Sequence, residues 1–217
     1  MEYNKSVINL INERISTRTY DGSALKAEDF EKLNVFIDEV NKEIKIKARF
    51  KIITNLGTGA AESKKLGTYG FIKGANSYII GILNRDDNDA LEFGCIFEKI
   101  ILFCTDLGIQ TCWLGGTFSK ENFQQMAGLN GNEFIPIISS LGYKKEKQRV
   151  FETTLRSTIG ADKRKSWSEL FFNKNLQPLN ENDAAEFKIP LEMVRLGPSA
   201  SNKQPWIIIR DGDMFHF

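Results

Sequence analysis

Between Ala27 and Glu43 the apolar residues Phe30, Leu33, Ile37 and Val40 recur every three or four positions, with charges between them. That spacing predicts an amphipathic helix with one face turned to a core. A shorter run of the same kind, Val7, Ile8, Leu10, Ile11 and Ile15, follows Ser6, a good N-cap. Leu91 to Leu107 is apolar almost all round and stops at Gly108, which predicts a buried central helix with a glycine just past its end. A polar helix is expected from Ser119. Another spans residues 183–196, with a break at Pro190 and Gly197-Pro198 as stop signals.

Short apolar runs predict the strands: Phe50–Thr54, Ser77–Leu83, Phe134–Ser139 and Trp206–Arg210. Pro136 favours an edge position or a strand start for the third of these. Asp211-Gly212 offers a hairpin turn into a return strand, Met214–Phe217. Gly57–Ala61 reads as a flexible loop, Asn84–Asn88 as a polar turn, and Lys144–Lys165 as a basic surface segment. Helix 27–43 leading into strand 50–54 is echoed in order and length by helix 183–196 leading into strand 206–210. No tandem repeat or low-complexity tract is visible.

Composition narrows the function. The chain has 217 residues, 41% hydrophobic and 26% charged, which suits one ordinary globular domain. A net charge of +1 gives no footprint for nucleic acid or an anionic membrane, so neither is an expected partner. The start lacks a cationic and then apolar leader, and no apolar run is long enough to span a bilayer. Cys95, Cys104 and Cys112, an odd set with no Cys-x-x-Cys spacing, suit reduced core thiols. A cytoplasmic location is expected. The single histidine, His216, argues against a Ser-His-Asp or Cys-His hydrolase and against a histidine-rich metal site. An enzyme of this composition would draw its hard chemistry from a cofactor.

Four stretches carry candidate chemistry. In Arg14-Ile-Ser16-Thr-Arg18 two guanidinium forks and a hydroxyl can converge on a phosphate; the same residues also suit a solvated helix end. Lys163-Arg164-Lys165 is either an anion contact or a wet loop. Leu114-Gly115-Gly116 lets backbone N–H groups approach a ligand, or simply turns the chain. In Pro198-Ser199-Ala-Ser-Asn202-Lys-Gln204-Pro-Trp206, two carboxamides lie on a loop of small residues, and each can read an edge with paired donors and acceptors. Neither a G-x-G-x-x-G after a strand, nor a P-loop, nor a G-x-S-x-G elbow is present.

Taken together, Arg14-x-Ser16-x-Arg18-x-Tyr20, the helix ending Leu107-Gly108, Thr111–Gly116 and Pro198-Ser-x-x-Asn-x-Gln-Pro-Trp206 resemble the FMN-dependent nitroreductase-like flavoproteins. The resemblance implies an α+β fold, with a central, mostly antiparallel sheet packed by helices around a long buried central helix. It implies that Arg14, Ser16 and Arg18 hold the FMN phosphate. It suggests Lys163 and Lys165 beside that phosphate, with Arg164 as an alternative. Leu114, Gly115 and Gly116 would lie by the reactive edge of the flavin, and Pro198, Ser199, Asn202 and Gln204 along its ring and ribityl chain. The implied activity is an oxidoreductase passing reducing equivalents from NAD(P)H to a small-molecule electron acceptor such as a nitroaromatic or quinone. A non-catalytic flavin- or ligand-binding protein and a structural protein on the same scaffold are the alternatives.

This chain departs from the ordinary family pattern in three ways. Ile15 stands where many members carry a second basic residue. The Pro-Ser-x-x-Asn loop comes about 180 residues after the arginine motif instead of soon after it. That order resembles a rearranged subgroup, labelled "putative nitroreductases", with a duplicated helix–strand unit, here at 183–217. It implies a monomer completing its own site, or a homodimer. Finally, the chain stops at Phe217 within an apparent strand, so a single domain over 1–217, truncated at its C-terminus, is expected.

Overall fold

A computed structural model describes residues 2–68, 70–86, 89–146 and 149–217. The chain divides into two compact units, Met1–Arg149 and Val150–Phe217. The first contains α1 (Val7–Glu13), α2 (Ala27–Glu43), β1 (Ala48–Ile53), α3 (Ala60–Lys65), β2 (Ser77–Asn84), α4 (Ala90–Asp106), β3 (Gln110–Leu114), α5 (Lys120–Ala127) and β4 (Glu133–Gly142). Its strands form one antiparallel sheet in the order β1-β2-β4-β3.

β2 explains why this sheet is covered on both sides. Its residues Ser77 to Leu83 are all buried, and successive side chains of a strand face opposite ways. Ile79 and Leu83 enter a core with Leu33, Phe36 and Ile37 of α2 and Phe93, Phe97, Ile100 and Phe103 of α4. Tyr78, Ile80 and Ile82 enter a second core with Leu114, Phe118, Phe123 and Ile138. Each such large apolar side chain stabilises the fold by about 1.5–3 kcal/mol when fully buried. Gly81 belongs to the α4 side. A Cβ there would lie 2.6 Å from Phe93 Cζ, so the missing side chain admits the ring.

α4 is the central helix predicted from the sequence. Asp89 caps its start by accepting a hydrogen bond from the Glu92 N–H at 2.9 Å. Its end closes with Gly108 at φ +76°, Gly108 N–H donating to Thr105 O at 3.0 Å and Ile109 N–H to Cys104 O at 2.8 Å. This paired closure favours glycine at the left-handed position. Across the helix pair, the Phe36 and Phe103 rings stack with centroids 4.0 Å apart. On the outer edge of β1, the Asn41 carboxamide of α2 pairs with both main-chain groups of Phe50, at 2.7 and 2.8 Å.

The second unit contains α6 (Val150–Thr158), α7 (Trp167–Leu170), β5 (Phe171–Asn173), a 3-10 turn (Ala185–Phe187), α8 (Lys188–Arg195), a second 3-10 turn (Ala200–Asn202), β6 (Ile208–Asp211) and β7 (Met214–His216). β6 pairs parallel to β5 and antiparallel to β7, forming a separate three-stranded sheet. Its core holds Leu170, Phe171, Leu179, Leu191 and Ile208, with Trp167 and Trp206 against it. Pro190 is the third residue of α8, within the first turn, where its missing N–H removes no helical bond.

Several local expectations change. Pro136 sits inside β4, which has neighbours on both sides, not at an edge. The register slips between Gly81 and Leu83 opposite it, and β3 pairs with β4 only from Ile138 onward. Pro136 therefore faces no ladder that needs its N–H. The loop at Gly57–Ala61 gives way at Ala60 to α3, whose Glu62 and terminal lysines suit the helix dipole. The basic segment 144–165 includes α6; its residues 147 and 148, like residues 87 and 88 of the polar turn, lie outside the described set. Cys104 and Cys112 are core thiols, but Cys95 is exposed. β5, too short for a periodic signal, was not expected. Among the described residues no helix is long and apolar enough to cross a membrane.

Candidate functional site

In the first unit, α1 ends at Glu13 and Arg14 turns the chain into extended backbone, φ −64° and ψ 121°. The segment then runs beside β3. Ser16 bridges to Thr111 in parallel, Thr17 N–H donates to Thr111 O at 2.9 Å, and Thr17 Oγ1 meets Gln110 Oε1 at 3.1 Å. Further along, Tyr20 lies over Gly142, where a Cβ would come within 2.8 Å of its ring, and its hydroxyl meets Ser140 Oγ at 2.8 Å. The arginine motif is thus fastened alongside the strand that runs out into Leu114-Gly115-Gly116. Leu114 is buried, while Gly115 and Gly116 are exposed, with open space where a Cβ would stand.

The two arginines rest on different partners. Arg14 Nε lies 3.2 Å from Glu98 Oε1 of α4. Burial pushes the Glu98 carboxyl up to about 7, against the pull of Arg14 toward the charged form. Neither Glu98 Oε2 nor Trp113 Nε1 completes a hydrogen bond. The Arg18 guanidinium lies over the Phe71 ring, 5.0 Å from its centroid. Arg149 secures the backbone here, its guanidinium donating to Thr19 Oγ1 at 3.0 Å, Gly70 O at 2.9 Å, Phe71 O at 3.3 Å and Arg18 O at 3.4 Å.

In the second unit, the Lys163-Arg164-Lys165 and Pro198–Gln204 stretches form one knot. Asn202 Nδ2 donates to Gly160 O and Lys163 O at 2.7 and 2.9 Å, and its Oδ1 accepts from Arg164 Nη1 at 3.3 Å. Gln204, 4% exposed, accepts the Lys165 N–H on Oε1 at 2.9 Å. Ser199 Oγ accepts the Gln204 N–H at 2.9 Å. Ser201, Asn202 and Gln204 have φ of 52°, 55° and 47°. Such conformations cost non-glycine residues about 1–3 kcal/mol each and persist where neighbouring bonds over-determine them. Lys163 is exposed, and Lys165 and Pro198 are half-buried.

A family model described as "Putative TM nitroreductase" matches residues 6–216. The chain belongs to that family. Membership places it among oxidoreductases. No curated protein matches it. Solved structures similar to it include a "putative nitroreductase" from Thermotoga maritima, 19% identical, covering 99% of this chain and 76% of that one, with a TM-score of 0.59. A nitroreductase family protein from Clostridium difficile is 17% identical over 70% of this chain and 92% of its own, TM-score 0.51. A nitroreductase with bound FMN from Bacteroides fragilis is 18% identical over 67% and 92%, TM-score 0.50. These likenesses establish the nitroreductase fold, α+β with an antiparallel sheet and helices.

Within this nitroreductase-family chain, the first unit brings together the Arg14–Arg18 motif and Leu114–Gly116. The second brings together Lys163–Lys165 and Pro198–Gln204. Two residues that matter to these groupings, Glu98 and Arg149, are absent from the sequence-derived set. Glu98 had a signal: it interrupts the apolar run Ile96–Leu107, and a carboxylate on a buried helix requires a partner. Arg149 had none, because the carbonyls of Arg18, Gly70 and Phe71 and the Thr19 hydroxyl that it reaches lie about 80 or 130 residues away.

Proposed function

We propose that this chain is an FMN-dependent oxidoreductase that passes reducing equivalents from NAD(P)H to a small acceptor such as a nitroaromatic or quinone. The observation that carries the reading is the Ser16–Thr111 bridge, which fastens the arginine motif beside the strand leading to Gly115-Gly116. The residues present fit such a group. A dianionic phosphate takes cations and a hydroxyl, and within the first unit Arg14, Ser16 and Arg18 offer both. A flat, uncharged ring system takes exposed glycine backbone, which Gly115 and Gly116 of the first unit offer. FMN, when bound, supplies the electron and hydride chemistry that no side chain here carries. The family name and the FMN-bound relative from Bacteroides fragilis support the cofactor.

The test is the visible spectrum of the purified protein during FMN titration, followed by anaerobic addition of NADH or NADPH. A flavin spectrum that bleaches with either nucleotide is the expected result. A colourless protein that binds no FMN overturns the proposal. Bound flavin that neither nucleotide reduces makes the chain a non-catalytic flavin protein instead.

A further inference from the structure

Asn202 and Gln204 have no N–H donor to spare for a ligand. A carboxamide offers two such donors and one carbonyl oxygen. Both donors of Asn202 reach main-chain carbonyls, those of Gly160 and Lys163, and its oxygen accepts from Arg164. Gln204 Nε2 donates to Lys163 O at 3.4 Å and Asn202 O at 3.2 Å, and its oxygen accepts from Lys165 N–H. All but one of these partners belong to residues 160–165. The same backbone takes the lysine head group, Lys165 Nζ donating to Gln204 O at 3.1 Å. An ammonium has three donors, so two remain for an anion.

The backbone supplies the independent sign. Three of the four residues Ser201–Gln204 adopt left-handed φ without being glycine. A loop that merely joined α8 to β6 would need no such strain, whereas a loop shaped to fit both carboxamides against residues 160–165 does. Holding a cationic segment in place beforehand spares a ligand the cost of ordering it.

We infer that Asn202 and Gln204 are positioning residues that fix Lys163-Arg164-Lys165 for the phosphate end of the flavin, not groups that read its ring. The inference rests on the FMN reading above. FMN and riboflavin separate the two roles, because riboflavin keeps the ring and ribityl chain and lacks the phosphate. Dissociation constants for both are measured by fluorescence titration on the full chain, for wild type, Asn202→Ala, Gln204→Ala and Lys165→Ala. Positioning predicts that each substitution weakens FMN at least tenfold and riboflavin less than twofold, with the absorption bands of bound FMN unmoved at saturation. It also predicts that Gln204→Ala adds little once Lys165 is alanine.

Equal weakening of both flavins, a shifted flavin spectrum, unchanged FMN affinity, or equal wild-type affinity for the two flavins overturns the inference. Wild type that binds neither flavin overturns the FMN reading instead. Where an alanine variant fails to fold, Gln204→Glu replaces it, keeping the acceptor for Lys165 N–H and removing both donors.

Discussion

Arg14 Nε and Glu98 Oε1 face each other at 3.2 Å, in a pair whose other carboxyl oxygen makes no hydrogen bond. Under the proposed function, Glu98 therefore competes with the FMN phosphate for this guanidinium. Its pKa, raised from 4.5 to about 7, makes the competition depend on pH.

A raised carboxyl pKa means that the folded chain holds the proton more tightly than the unfolded chain. The resulting stability is fully present below about pH 4.5 and is lost as pH rises through about 7. Urea unfolding of wild type and Glu98→Gln across pH 4.5 to 8 should show wild type losing ground to the variant as pH rises, with the difference level above about 7. A difference that does not change with pH contradicts this.

Removing the other partner has a complementary effect. Arg14→Ala leaves the carboxylate without its cation and should cost up to about 3 kcal/mol near pH 8. The loss should shrink near pH 5, where Glu98 takes up its proton. Arg14→Ala and Arg18→Ala should each weaken FMN binding, because each removes a guanidinium from the motif that the proposed function assigns to the phosphate. The expected loss for Arg18→Ala is about tenfold to a hundredfold, the range for a charge-assisted hydrogen bond. Isothermal titration of the two variants decides it.

Gly81→Ala should destabilise the first unit by about 1–3 kcal/mol, because its Cβ meets Phe93 Cζ at 2.6 Å in a packed core. In a Phe93→Leu background the same substitution should cost less, and unfolding of the four proteins in the cycle measures the coupling.

A thiol reagent should modify one cysteine quickly in the native protein and all three after denaturation. Cys95 is exposed, whereas Cys104 and Cys112 are buried, and burial holds the Cys104 thiol far above its usual pKa. Rapid reaction of two thiols in native conditions would show that a buried helix or strand opens.

The elements that the sequence revealed best were those whose own residues suffice to define them. Leu91–Leu107 carries its helix and its glycine stop within one stretch, though Leu91 and Cys95 prove exposed, and Ser77–Leu83 carries its strand, whose cover on both faces the fold reveals. α3 escaped notice because its helix formers carry no apolar period, and β5 because three residues have none. The motif residues were visible one by one, but their engagement was not. Nothing near Asn202 in the chain indicates that its donors belong to Gly160 and Lys163, some 40 residues earlier. Hydrogen bonds of that span are properties of the fold, and only the fold reveals them.

The Asn41 carboxamide lies where a neighbouring strand would otherwise bond to Phe50. A bare sheet margin invites other molecules to add themselves and grow into insoluble stacks. By answering both main-chain groups of Phe50 from within, Asn41 closes that invitation at the middle of β1. Replacing it with leucine would keep the bulk and reopen the margin, a change felt in shelf life and expression yield before any assay of activity.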